Sequence, residues 1–272
     1  MTETDGAARV RDAFTAAADA HRAAFVAYLM AGFPTEADAI EAGAAAVGCG
    51  ADILEIGVPF SDPMADGPVI AEAGRVALAA GGGFESTLRT VRALRSGGHE
   101  QPILAMSYLN PLLALGEGVG LRLLAGAGVD GLIVPDLPAG EMPQFERAAA
   151  ASGLGLSFLV APNTSAARLE AAIGASTGFL YVVPLFGVTG TREEVAAGAA
   201  QLLARIHVAA AGRVPVAAGF GLSSVEQIHE LAAVADGVIV GSAVVAALRD
   251  GGPGAVGPLV QRLAAGIQRA RS

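Results

Sequence analysis

The chain has 272 residues, of which 53% are hydrophobic and 16% are charged, and its formal net charge is −9. This composition supplies a large core and lies far from that of a disordered chain. The negative charge argues against a nucleic-acid-binding protein, which usually carries a basic surface. Apolar runs are short and broken by Gly, Pro or charged residues, so the sequence predicts no membrane-spanning helix.

The first eleven residues mix acidic and basic side chains and lack the layout of a secretory signal peptide. Cys49 is the one cysteine in the sequence, which excludes an intrachain disulfide and fits a reducing compartment. We therefore expect a cytoplasmic protein in which Cys49 is a small core side chain and not a catalytic thiol.

Short apolar segments alternate with longer Ala-rich segments along the whole chain. Most of the apolar segments are continuously apolar and bounded by Gly, Pro or polar turn residues, which is typical of parallel strands buried on both faces. The predicted strands span residues 25–30, 52–56, 102–106, 131–134, 155–160, 178–183, 214–218 and 237–240.

N-capping residues mark several helix starts between these strands. Thr35 is a predicted cap for the helix that follows the first strand. Thr191 with Glu194, and Ser223 with Glu226, have the spacing of capping boxes.

The repeated strand–helix unit predicts the overall fold. Eight such units favour a closed (β/α)₈ TIM barrel over an open sheet, as a single domain covering residues 1–272. An extra N-terminal helix over 12–20 and a second helix within 71–95 lie outside the repeat. A last helix over about 259–270 would close the barrel.

Polar residues gather just past the predicted strands, while the strands themselves carry almost none. In a barrel of this kind the active site lies at the carboxyl ends of the strands. The residues found there are Gly32, Phe33, Glu55, Tyr108, Asn110, Asp136, Asn163, Thr164, Tyr181, Gly219, Phe220, Gly221, Gly241 and Ser242.

Glu55 is the most informative of these residues because it lies inside the apolar segment ILEI. A buried carboxylate without partners is costly, so it must be paired or have a raised pKa. A raised pKa suits a general acid or base that works near neutral pH. The alternative is a structural glutamate paired with a neighbouring loop.

The loop that follows Glu55, residues 57–68, is rich in turn formers and carries two acids. Asp66 has two interpretations: it faces Glu55 so that the two carboxyl groups divide acid and base roles, or it satisfies its own turn. For Asp62, between Ser61 and Pro63, the turn interpretation is favoured.

Glycines after the last two predicted strands indicate a phosphate site. Gly219 and Gly221 follow one strand, and Gly241 with Ser242 follows the next. Glycines allow close backbone approach, helix N-termini offer free N–H groups, and barrels frequently bind phosphate here. The alternative is a pair of ordinary tight turns.

Two further features bear on the site. Residues 187–190, Gly-Val-Thr-Gly, are interpreted as a mobile lid or as a static loop. None of the four histidines lies at a strand end or at metal-ligand spacing, so neither a metal site nor a catalytic histidine is predicted.

These motifs resemble the α subunit of tryptophan synthase, and the resemblance covers nearly the whole chain. It is densest over residues 54–63 (LEIGVPFSDP), 65–68, 134–138, 187–190 and 219–221. The resemblance implies a lyase that cleaves indole-3-glycerol phosphate by a retro-aldol reaction to indole and glyceraldehyde 3-phosphate. It implies no metal and no organic cofactor.

The resemblance also assigns roles to residues. It implies that Glu55 protonates indole C3, that Asp66 bonds the indole N–H, and that Tyr181 lies beside the glutamate. Thr189 in the lid would hold the aspartate when the site closes. The implied phosphate cradle comprises Phe220, Gly221, Gly241 and Ser242, and the implied indole pocket is lined by Tyr28, Met106 and Tyr108.

The chain departs from the family pattern at two places. Pro184, followed by Leu185 and Phe186, stands where a small polar residue is usual, and Met30 stands where a threonine is common. Because the lid is one route of communication with the β subunit, two hypotheses stay open. One is an α subunit acting with a β subunit in an α2β2 tetramer, and the other is a stand-alone lyase that releases free indole.

A third hypothesis comes from another class of function: a weakly active barrel that binds and activates a partner. The joint presence of Glu55, Asp66 and Tyr181 with the phosphate glycines argues against it.

Overall fold

The computed structural model describes residues 5–116, 118–183, 192–219 and 224–268, with the backbone only for residues 192–197. Within this part of the chain, parallel strands form one continuous sheet. The strands are β1 (Ala24–Met30), β2 (Ile53–Gly57), β3 (Ile103–Met106), β4 (Gly131–Ile133), β5 (Gly155–Ser157), β6 (Leu159–Val160), β7 (Leu180–Val182), β8 (Val216–Ala218) and β9 (Gly237–Val240).

The strand order closes the sheet into a barrel. The pairing order is β5-β4-β3-β2-β1-β9-β8-β7-β6, and only Phe158 separates β5 from β6 in the chain. The predicted strand over 155–160 is therefore present as two short pieces that together fill one position of the barrel. The predicted (β/α)₈ barrel is confirmed.

Helices follow the strands and cover the outside of the barrel. They are α1 (Gly6–Asp19), α2 (Glu36–Gly48), α3 (Pro68–Ala79), α4 (Phe84–Ser96), α5 (Leu109–Ala114), α6 (Val119–Ala127), α7 (Pro143–Ala151), α8 (Ala166–Ala175), α9 (Arg192–Ala210), α10 (Val225–Ala232), α11 (Ser242–Gly251) and α12 (Val256–Ala264). Two 3₁₀ turns cover Pro253–Ala255 and Ala265–Ile267.

The helix predictions differ from the structure mainly at the ends. The extra N-terminal helix is present but begins at Gly6, and the region 71–95 holds parts of two helices, α3 and α4. The last α-helix ends at Ala264 and continues as a 3₁₀ turn instead of reaching residue 270. Cys49 follows α2 and packs, partly buried, against the core.

One of the predicted caps is confirmed and one is displaced. The Thr35 side chain accepts a hydrogen bond from the Asp38 N–H at the start of α2. The predicted box of Ser223 and Glu226 is wrong by one residue, because Ser224 has the extended backbone of an N-cap and pairs reciprocally with Gln227. Thr191 lies outside the described residues.

Helix α1 closes the amino end of the barrel, opposite the predicted site. Its buried side chains include Val10 and Phe14, and the Phe14 ring lies 5.3 Å from that of Phe179 on the segment leading into β7. Arg9 and Arg95 both form ion pairs with Asp130, at 2.7 and 2.5 Å. Buried apolar side chains therefore fill this end of the barrel, and ion pairs stabilise it.

No helix in the part of the chain that the structure describes is long and apolar enough to cross a membrane.

Candidate active site

A cavity of about 590 Å³ opens at the carboxyl end of the barrel, where the sequence places the site. Its walls come from nearly every side of the barrel and from the first turn of α3. The lining residues are Tyr28, Glu55, Met64–Ile70, Met106, Ile133, Pro135, Leu159–Ala161, Thr164, Tyr181, Val183, Gly219, Ile239, Gly241 and Ser242.

Glu55 is the buried acid of this cavity. It lies on β2, is 1% exposed, and neither carboxylate oxygen has a hydrogen-bond partner among the described residues. Burial raises the pKa of Glu55 from 4.5 to about 8, and the nearby charge of Asp66 contributes in the same direction. Glu55 is therefore protonated near neutral pH and can donate a proton to a molecule in the cavity.

Asp66 supplies the second carboxyl group of the cavity. It lies at the end of the loop between β2 and α3, and its Oδ1 accepts a hydrogen bond of 3.1 Å from the Tyr108 hydroxyl. Burial raises the pKa of Asp66 to about 6, although the bond from Tyr108 opposes this rise. Near neutral pH the two acids therefore differ: Asp66 is largely ionised and Glu55 is protonated.

Two tyrosines flank Glu55. Tyr28 is its register partner across the β1–β2 pair, and Tyr181 on β7 also lines the cavity. Burial raises the pKa of both hydroxyls, and the charges of Glu55 and Asp66 raise them further. Both tyrosines therefore remain neutral and form a largely apolar pocket around the acid.

The start of α11 faces the cavity on the side of β8 and β9. Gly241 and Ser242 line the cavity there, and Gly241, as the N-cap residue of α11, provides no side-chain cap. Among the described residues, the lining includes neither Lys nor Arg. Gly219 packs closely, because a Cβ atom there would lie 2.5 Å from Cβ of Ile239. This arrangement offers backbone donors to an anion.

Most of the residues predicted for the site come together around this cavity. Those among its lining are Glu55, Asp66, Tyr181, Tyr28, Met106, Gly241 and Ser242. Tyr108 is not part of the lining and instead contacts Asp66 and the Ala65 N–H. Asp62 is exposed and accepts a hydrogen bond from the Ser61 hydroxyl, so it lies away from the cavity.

Several predicted residues belong to segments that the structure does not describe. Thr189, Phe220 and Gly221 lie outside the described residues, as do the lid glycines and the unusual segment 184–186.

Most of the apolar residues in the cavity walls are not among the predicted site residues. Ile133 and Pro135, like Tyr181 and Val183, lie two residues apart, and Ile239 precedes Gly241 by the same spacing. Side chains of a strand alternate between its faces, so this period of two identifies residues that face the inside of the barrel. This spacing of two is the sequence signal from which these wall residues could be identified.

Metal binding has no visible basis in the described part of the chain. No group of three or more His, Cys, Asp or Glu side chains there is arranged to hold a metal ion.

Sequence comparison identifies the family. The family model for the tryptophan synthase alpha chain matches residues 14–264. A tryptophan synthase alpha chain from Carboxydothermus hydrogenoformans is 46% identical over 222 residues, covering 82% of each chain. One from Mycobacterium avium is 42% identical over 263 residues, covering 97% of this chain and 96% of the relative.

Structural comparison identifies the same family. Tryptophan synthase from M. tuberculosis in an open form superposes with a TM-score of 0.87 and 37% identity, covering 96% of this chain and 99% of that one. The alpha subunit from Legionella pneumophila superposes with a TM-score of 0.85 and 31% identity, covering 95% and 98%. This chain belongs to the tryptophan synthase alpha chain family.

Proposed function

We propose that Glu55 performs the proton transfers, and that Asp66 stabilises the charge they create, as this chain cleaves indole-3-glycerol phosphate to indole and glyceraldehyde 3-phosphate. The cleavage itself is the lyase reaction of the alpha chain family. The observation that supports the assignment is that Glu55, buried and without a hydrogen-bond partner among the described residues, shares one largely apolar cavity with Asp66.

Glu55 acts as the general acid. In its protonated form it gives a proton to C3 of the indole ring, which makes the ring cationic and able to accept an electron pair. The resulting Glu55 carboxylate then takes the proton of the C3′ hydroxyl of the glycerol chain. Each of these proton transfers contributes roughly 10²–10⁴-fold to the rate.

The carbon–carbon bond breaks in the second step. As the C3′ hydroxyl loses its proton, its oxygen forms the aldehyde, and the electrons of the C3–C3′ bond return to the ring. The products are neutral indole and glyceraldehyde 3-phosphate, and Glu55 ends protonated as it began. The reaction needs no water and no external proton.

Asp66 acts through its negative charge. An ionised carboxylate accepts a hydrogen bond from the indole N–H and stabilises the positive charge that the ring carries after protonation. The pocket of Tyr28, Tyr181 and Met106 accommodates the flat indole ring and limits water around Glu55.

The phosphate group fits the part of the cavity wall that follows β8 and β9. There we place it at the N-terminus of α11, against Gly241 and Ser242. The family resemblance adds Phe220 and Gly221 to this proposed cradle. We further propose that Thr189 holds Asp66 when substrate is bound. This binding places the glycerol carbons between the phosphate cradle and Glu55.

A β subunit is the proposed protein partner, in an α2β2 tetramer in the cytoplasm. The support is the near full-length similarity to alpha chains of tryptophan synthase. Adding a β subunit to the purified chain should form a complex by size-exclusion chromatography and increase the rate of indole-3-glycerol phosphate cleavage. A fully active chain that neither binds nor responds to a β subunit would reject this partner.

The test of the assignment is an indole-release assay on the purified chain with indole-3-glycerol phosphate. We expect activity in the natural chain and its loss in Glu55→Gln, with the circular dichroism spectrum unchanged. The matched control is Glu72→Gln, which changes an exposed glutamate on α3 that pairs with Arg75 outside the cavity. Near-normal turnover in Glu55→Gln would reject the assignment.

A further inference from the structure

Tyr108 is buried beside the cavity without lining it. It is 3% exposed, and it precedes α5 just after the end of β3. Its contacts are directed to the loop between β2 and α3, which carries Asp66. The cavity wall at this point is formed by Ala65 and Asp66 themselves.

The Tyr108 hydroxyl makes two hydrogen bonds to consecutive residues of that loop. It accepts one from the Ala65 N–H at 2.8 Å and donates one to Asp66 Oδ1 at 3.1 Å. Its ring also contacts Phe60 near the start of the same loop, with 5.3 Å between ring centroids. A phenylalanine at position 108 would keep the ring contact and lose both hydrogen bonds.

The backbone around Tyr108 is itself held from neighbouring elements. The buried Ser107 hydroxyl donates to the Tyr108 carbonyl at 2.9 Å, and the Leu109 N–H donates to Asp136 Oδ1 at 2.9 Å. Asp136 follows β4, so the backbone that carries Tyr108 is held between the ends of two adjacent strands. The Tyr108 hydroxyl therefore donates to the Asp66 carboxylate from a backbone that is fixed by hydrogen bonds.

We propose that Tyr108 is a positioning residue for the lyase reaction, whose hydroxyl holds the Asp66 carboxylate in place through Oδ1 and leaves Asp66 Oδ2 available to the indole N–H. The proposal rests on the proposed role of Asp66. It adds that Tyr108 acts through Asp66 and not by direct contact with the indole ring.

The charges around Asp66 support this role. Glu55 from β2, Tyr28 from β1 and Tyr181 from β7 all interact electrostatically with Asp66, and Asp136 interacts with Tyr108. Burial raises the pKa of Asp66, and the bond from Tyr108 is what lowers it among the described groups. Without that bond the carboxylate would hold its proton to higher pH.

The experiment compares Tyr108→Phe with the natural full-length chain by measuring indole release from pH 5 to 9. We expect kcat/KM to fall about 10- to 100-fold, the range for one hydrogen bond to a charged group. The acidic limb of the pH profile should move to higher pH. In an Asp66→Asn background, measured at high enzyme concentration, Tyr108→Phe should cause no further loss.

Ser61→Ala is the matched control. It also removes a hydroxyl that donates to a carboxylate in the same loop, that of Asp62, but neither residue lines the cavity. It should leave the pH profile unchanged, and the unfolding midpoint of each variant reports any structural damage.

Three results would overturn the proposal: unchanged kcat/KM in Tyr108→Phe, a loss without movement of the acidic limb, or an equal loss in the Asp66→Asn background. Failure of the proposed function is distinguishable, since it would appear as an inactive natural chain or an active Glu55→Gln variant.

Discussion

The hydroxyl of Tyr28 occupies the space that a side chain at Gly57 would need. A Cβ atom on Gly57 would lie 2.1 Å from the Tyr28 hydroxyl oxygen and 2.7 Å from the ring carbon Cζ. Tyr28 is also the register partner of Glu55. The glycine at the end of β2 therefore allows a tyrosine to lie over the strand and enclose the proposed general acid.

Gly57→Ala should force Tyr28 out of this position. Overpacking of this kind costs roughly 1–3 kcal/mol of the free energy of unfolding, and the displaced ring would enter the cavity. We expect a lower unfolding midpoint and at least a tenfold drop in indole release. The double variant Gly57→Ala/Tyr28→Leu should be destabilised by less than the sum of the two single changes. Strict additivity would show that the two residues do not compete for space.

The two acids predict a bell-shaped pH profile for the reaction. Asp66, with a pKa raised to about 6, must be ionised, and Glu55, with a pKa raised to about 8, must be protonated. We expect kcat/KM to be highest between about pH 6 and 8 and to fall on both sides. The measured limits belong to the coupled pair. A rate that rises steadily to pH 9 would contradict a protonated Glu55.

How far the sequence predicts this site depends on the kind of signal. Glu55 was predictable because one acid within a continuous apolar strand has few explanations, and the glycines before α11 were predictable from their place after a strand. The role of Asp66 required its distance from Glu55, which depends on the path of a ten-residue loop and leaves no periodic pattern. The family resemblance implied that Tyr108 lines the pocket, and its position after a strand does not reveal the direction of its side chain.

For the fold, the sequence pattern predicts the architecture but not the local details. The alternation of apolar and Ala-rich segments predicts the barrel, since each strand must be buried on both faces. Strand 155–160 is divided at Phe158, and the capping box begins at Ser224 instead of Ser223, because such details depend on local backbone geometry.

The buried state of Glu55 should reduce stability as the pH rises. The folded-state pKa of about 8 lies above the unfolded value of about 4.5, so the unfolded chain loses this proton first. The free energy of unfolding should therefore fall between about pH 4.5 and 8, by a few kcal/mol, and level off above that range.

Urea unfolding of the natural chain and of Glu55→Gln across this range would measure the effect. We expect the free energy of unfolding of the natural chain to fall relative to that of Glu55→Gln as the pH rises. This holds whichever protein is more stable at low pH. Asp66 contributes a change of the same sign in both proteins, so the comparison isolates Glu55. Parallel curves for the two proteins would show that Glu55 ionises as readily in the folded state as in the unfolded one.

A negative charge at Ser242 should block the proposed phosphate site without harming the fold. An aspartate in the first turn of α11 is favourable for the helix, because its N–H groups carry partial positive charge. The same charge would repel a phosphate dianion at that place, and like charges in contact cost several kcal/mol. Ser242→Asp should raise KM for indole-3-glycerol phosphate on the order of a hundredfold or more, with an unchanged or higher unfolding midpoint.

Ser242→Ala is the matched comparison, because it removes the hydroxyl and adds no charge. Its KM should rise less than tenfold if backbone N–H groups carry most of the binding, and inorganic phosphate should still compete with substrate. In Ser242→Asp that competition should disappear. Equal affinity of both variants for phosphate would place the anion elsewhere in the cavity, since a charge at the first residue of α11 would then lie too far from it to matter.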